Sequence, residues 1–155
     1  MCPYKLFLTI SVGLLALGCK SQSDFINQSG NTFSSKFTVL DTSQTVIHDI
    51  ADLSQKTFPT EAQINLADQI LLANLPDTVY DRIRAKNWRR QYFGYLNAKS
   101  ETVIYANFLN FKRRQEAKKY FPEWENQLII GYGDFFEKNT YRFLVNLTSK
   151  KIEVY

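Results

Sequence analysis

The chain has 155 residues, 45% of them hydrophobic, 22% charged and 15% aromatic, with two cysteines, one histidine and a net charge of +4. Such a length and apolar share suit one globular domain and exclude a disordered tail, a collagen-like polymer, a disulfide scaffold and a multidomain machine. The charge is unevenly spread: residues 20–81 carry −5, residues 82–119 carry +9 and residues 120–155 carry −1. Surface potential follows such clusters, so this contrast says more about partners than the sum does.

Met1-Cys2-Pro3-Tyr4-Lys5 forms a short, singly positive start, followed by an uncharged run from Leu6 to Leu17. As a helix that run is about 18 Å long, too short for a hydrocarbon core of about 30 Å but suited to the hydrophobic region of a signal peptide. It leads into Leu15-Ala16-Leu17-Gly18-Cys19. This stretch resembles the lipobox of bacterial lipoproteins, in which the cysteine becomes the lipidated first residue of the mature chain. The other readings are an ordinary signal peptide and a buried N-terminal strand with an incidental cysteine. The resemblance implies a leader over residues 1–18, lipid on Cys19 and anchoring in the cell envelope. Lys20 stands where an Asp often resembles an inner-membrane retention signal, which implies the outer membrane. On this reading Cys2 leaves with the leader and Cys19 is acylated, so the mature chain has no thiol for a disulfide, a nucleophile or a zinc site.

Residues 19–36 are rich in Ser, Gln and Asn, a composition that predicts a flexible tether ahead of a single domain over residues 37–155. The other reading is that Phe37-Thr38-Val39-Leu40 begins a strand and part of this stretch packs against the domain. Thr60 with Gln63 has capping-box form, and Ile64, Ala67, Leu71 and Leu75 recur at helical spacing until Pro76. A second helix is predicted from Asp77 through Arg90. Beyond residue 90 the period falls towards 2, and Gln91 to Asn97 with Thr102 to Leu109 read as a β-hairpin. Leu128 to Tyr132, Tyr141 to Leu147 and Ile152 to Tyr155 are further strand candidates. Sixteen of the 21 aromatics in residues 19–155 lie at or beyond Trp88, and aromatics favour strands and small cores. The predicted class is α+β: an N-terminal helix or helices packed on a four- to five-stranded antiparallel sheet.

Arg90-Gln91-Tyr92-Phe93-Gly94-Tyr95-Leu96-Asn97, Val103 to Phe108, Trp124 and Tyr141 to Leu147 together resemble a group of small uncharacterised bacterial lipoproteins. The resemblance covers about the last 70 residues and implies the fold and an envelope location, without implying an activity.

The inventory for catalysis is sparse. His48 is the only histidine, with Asp49, Asp52 and Ser54 nearby, and no Gly-x-Ser-x-Gly elbow, Walker motif or dinucleotide motif is present. Glu123 and Glu125 flank Trp124, and Asp134 and Glu137 follow the Gly131/Gly133 pair. Carboxylates beside aromatics are ingredients of glycoside hydrolysis, although loop solvation explains them more simply. Neither a cofactor nor a metal site is expected.

The strongest candidate is basic and aromatic: Trp88, Arg89, Arg90 and Tyr92, then Lys112, Arg113 and Arg114. A hairpin would bring both clusters to one end of the sheet. Export makes nucleic acid an unsuitable partner and favours an acidic protein surface or an anionic envelope polymer. The competing explanation is a solvated face balancing the acidic N-terminal part. The expectation is a non-enzymatic, lipid-anchored binding module, with a small envelope hydrolase as the alternative.

Overall fold

In the computed structural model, which describes residues 33, 35–41 and 55–154, the strands are β1 (Phe37–Val39), β2 (Gln55–Thr57), β3 (Trp88–Leu96), β4 (Thr102–Asn110), β5 (Thr140–Asn146) and β6 (Lys151–Val154). The helices are α1 (Glu61–Asn74), α2 (Asp77–Ile83), α3 (Arg114–Tyr120) and α4 (Asp134–Asn139). Residues 1–32, with Cys19, and the His48, Asp49, Asp52 and Ser54 group lie outside the described residues.

The aromatic hairpin forms as β3 and β4, with Trp88 opposite Asn110, Tyr92 opposite Ala106 and Leu96 opposite Thr102. β5 adds antiparallel to β4, and β6 to β5. The other edge of β3 is shared by two short strands. β1 runs parallel beside Arg90 to Tyr92, and β2 runs antiparallel beside Gly94 to Leu96. The fold is therefore α+β with a mixed six-stranded sheet, not the four- or five-stranded antiparallel sheet expected. β1 falls where the alternative reading starts a strand, whereas the three residues of β2 carry too little periodicity to be read from sequence.

Alternation along β3 and β4 gives the sheet two distinct faces. On one face, Tyr92, Ile104, Ala106, Phe108, Phe143 and Val145 share a core with Ile64, Ala67, Ile70 and Leu71 of α1. The predicted capping box starts α1: Thr60 Oγ1 accepts from the Gln63 amide at 3.3 Å, and Gln63 Oε1 accepts from the Thr60 amide at 2.8 Å. Gly94 lets the chain cross from β2 to α1, because a Cβ there would lie 2.6 Å from Thr57 Oγ1 and 3.4 Å from Pro59. The second helix stops at Ile83 rather than reaching Arg90, since Trp88 already pairs in the sheet.

The same face shows that packing begins before residue 37. Phe33 and Ser35, assigned to the tether by composition, are 0% and 2% exposed. The Phe33 ring meets Phe108 edge-on with centroids 5.3 Å apart. A polar neighbourhood in sequence hid one aromatic anchor.

The opposite face carries Gln91, Phe93, Tyr95, Val103, Tyr105, Asn107 and Leu109. Leu128 to Tyr132, expected as a strand, is irregular and lies over this face. Side-chain amides take the place of a ladder: Gln91 Oε1 accepts from the Ile129 amide at 3.0 Å, and Asn107 Nδ2 donates to the Ile129 carbonyl at 2.8 Å. Beside it, Leu109, Ala117, Phe121 and Ile129 form a cluster flanked by Phe111, Tyr120, Trp124, Phe135 and Phe136. α3 and α4, which were not expected, supply this cover.

Candidate functional site

The register of β3 and β4 decides the geometry of the basic region. Trp88 pairs with Asn110, so the entry to β3 and the exit from β4 meet at one end of the sheet. The Phe111 amide donates to the Asn87 carbonyl at 2.8 Å, closing that end. Lys86, Arg89, Lys112, Arg113 and Arg114 collect around it, with only Arg89 half-buried and the others exposed.

Arg89 is the positioned member of this group. Its guanidinium lies 5.6 Å from the centroid of the Phe111 ring, and Phe111 meets Trp124 edge-on at 5.7 Å. Arg89 Nη1 donates to the Lys86 and Trp88 carbonyls at 2.9 and 3.0 Å. Burial pushes the Arg89 guanidinium below its usual value, the Arg114 charge adds to that, and Glu125 opposes it. Two like charges held near one another form a focus for an anion. Arg113 instead makes an exposed ion pair with Glu116 at 3.4 Å, and such pairs hold weakly.

Three members of the sequence-derived site lie elsewhere. Trp88, Arg90 and Tyr92 are 4%, 0% and 0% exposed, because even-numbered residues of β3 face α1. Arg90 Nη1 donates to Asp68 Oδ2 at 2.7 Å, and Nη2 donates to the Phe33 and Ser35 carbonyls at 3.0 and 2.7 Å. The Tyr92 hydroxyl donates to Asp68 Oδ1 at 2.5 Å. Phe33, Phe37 and Tyr92 surround the Arg90 guanidinium at 5.2 to 5.8 Å. Burial pushes the Asp68 carboxyl up, while the Arg90 charge and the hydrogen bonds from Tyr92 and Arg90 pull it down. These residues hold the N-terminal segment to the core. The adjacent arginines of β3 thus split: odd-numbered Arg89 is accessible, even-numbered Arg90 is not.

No protein-family model, curated protein or solved structure matches the chain.

The candidate carboxylates Glu123, Glu125, Asp134 and Glu137 are all exposed. Glu123 accepts from Gln127 Nε2 at 3.1 Å, and Asp134 pairs with Lys138 at 3.6 Å. Among the described residues, no three His, Cys, Asp or Glu side chains gather as a metal site, and no helix is long and apolar enough to cross a membrane. Gly133 serves as N-cap of α4 with φ of 90°, and Gly131 makes room for the Phe136 ring.

Sequence reasoning missed the Asp68 carboxylate, which sits on the apolar face of α1. An aspartate at a helical core position is the signal that could have paired it with Arg90, because a buried acid requires a partner. It also missed Gln91 and Asn107, whose uncharged amides look unremarkable in an aromatic hairpin.

Proposed function

We propose that the protein is a lipid-anchored component of the bacterial cell envelope, held in the outer membrane through Cys19. It acts without catalysis, binding an anionic partner through the basic end around Arg89 and Arg114. The supporting observation is the pairing of Trp88 with Asn110, which gathers Lys86, Arg89, Lys112, Arg113 and Arg114 beside Phe111. A guanidinium stacked on an aromatic ring keeps its outer edge free to meet a carboxylate or phosphate. The hydrolase reading lacks comparable support, since the four candidate carboxylates are exposed and none has the burial that would separate an acid from a base.

Two measurements test this reading. A fatty-acid analogue should label the wild-type chain and fail to label Cys19→Ser; label retained in the variant refutes the anchor. Pull-down from envelopes should recover an anionic partner, whether protein, polymer or phospholipid, with wild-type protein, and recovery should fall when Arg89, Lys112, Arg113 and Arg114 are reversed to Glu. Unchanged recovery refutes the basic end as the binding surface. Arg90 stays intact in that variant because its side chain is part of the core.

A further inference from the structure

We infer that the basic end is a membrane-docking surface whose ligand is the phosphate of anionic phospholipid headgroups. This inference rests on the lipid-anchored reading and names the partner of the same site.

The argument comes from where the chain enters the fold. β1 runs parallel to β3, with Phe37 opposite Arg90. Residues that precede Phe37 therefore approach from the Trp88 end. The contacts agree: the Arg90 amide donates to the Lys36 carbonyl at 3.1 Å, and the Arg90 guanidinium holds the Ser35 and Phe33 carbonyls. Phe33, Ser35 and Lys36, the first described residues, thus lie at the pole where the cations gather. Fourteen residue steps separate Cys19 from Phe33, a reach of at most about 50 Å when fully extended. An anchor at Cys19 would tie the chain to the bilayer from this pole, with the turns that carry Lys99 and Lys150 at the opposite end of the sheet.

The cations at the near pole come from three separate connections. Lys36 precedes β1, Arg84 and Lys86 join α2 to β3, and Lys112 to Arg114 follow β4. All six are exposed. Of the acids at this end, Asp81 and Glu116 are engaged with Arg84 and Arg113 in exposed pairs of 3.2 and 3.4 Å, Asp134 pairs with Lys138 at 3.6 Å, and Glu125 acts on Arg89. Charges spread over the end of a sheet match a plane of phosphates better than one narrow peptide. Juxtamembrane lysines and arginines gain about fivefold in membrane partitioning each. A lipid chain combined with such a patch is a two-signal anchor.

Lysine footprinting of the full chain with vesicles tests the inference. Amine-acetylation rates are compared at Lys36, Lys86 and Lys112 and, at the far pole, at Lys99 and Lys150. At a concentration of phosphatidylglycerol vesicles that binds more than about four fifths of the chain, the first three should slow about fivefold or more relative to pure phosphatidylcholine, each charge adding to the binding. The far pole should not change. Raising salt to about 0.5 M, where the Debye length is about 4 Å, should abolish the difference. The exposed triple variant Lys112→Glu, Arg113→Glu, Arg114→Glu should lose the protection at Lys86. Equal rates in both vesicles, or protection of Lys99 and Lys150 instead, overturns the inference. Protection that requires an added acidic envelope protein also overturns it, while leaving the binding-module reading intact. Because vesicles are added directly, the footprint can be read even if Cys19 proves unlabelled, so failure of the anchor and failure of the docking surface remain distinguishable.

Discussion

Arg90 and Asp68 are both fully buried, and their pairing at 2.7 Å joins α1 to β3. Removing one partner of such a pair strands a charge in a low-dielectric interior. Asp68→Ala should destabilise the domain by about 3–5 kcal/mol, measured by urea denaturation. A smaller change would show that water reaches Arg90. Glu101 illustrates the opposite, exposed case. Asn97 and Asn146 each donate to its Oε2 at 2.8 Å, tying the β3–β4 turn to the end of β5. Those hydrogen bonds, from Asn97 first and Asn146 second, hold its carboxyl below the ordinary value of 4.5. A depressed carboxylate contributes stability above its unfolded value and loses it as pH falls through the folded one. Stability should therefore decline below about pH 4.5, and Glu101→Gln should flatten that decline in denaturation curves recorded across the acid range.

At the scale of elements, legibility followed the length of the repeating pattern. α1 was readable because Thr60, Gln63 and the Ile64 stripe signal start, cap and face together. β3 and β4 were readable from Gln91 onward because their runs are dense in aromatic and β-branched residues, and β5 because its apolar residues alternate. β1 lies within the apolar stretch Phe37 to Leu40 that offered a strand start, whereas β2 is defined by the edge it joins and not by its own composition. Leu128 to Tyr132 misled because its apolar run is satisfied by lying on a sheet instead of pairing within one. Gln91 fixes that placement, donating to the Trp124 and Gln127 carbonyls and accepting from the Ile129 amide. Gln91→Ala leaves those groups without their partner, at about 1–3 kcal/mol for each buried group that stays unsatisfied. Hydrogen exchange should quicken over residues 121–130 while α1 stays protected; unchanged exchange would show that Gln91 does not hold the segment. At the other edge, Gly94→Ala brings a Cβ against Thr57. The expected loss is about 1–3 kcal/mol, with exchange increasing first in β2.

For the whole molecule, the sequence showed the contrast between acidic and basic stretches but not its placement. Side-chain alternation separated Arg89 from Arg90, and only the register of the sheet says which one solvent sees. The domain boundary moved for a similar reason, since Phe33 belongs to the core although its neighbours read as linker. Phe33→Ala should lower stability by about 3–5 kcal/mol in urea denaturation; a negligible change would return the boundary to residue 37. The grip of Arg90 on the Phe33 and Ser35 carbonyls also has a mechanical meaning. A pull applied at Phe33 would act on a buried guanidinium that is itself braced on α1 through Asp68. Such a load would be shared between helix and sheet, with the Phe33 ring and the three residues of β1 holding beside the buried cation.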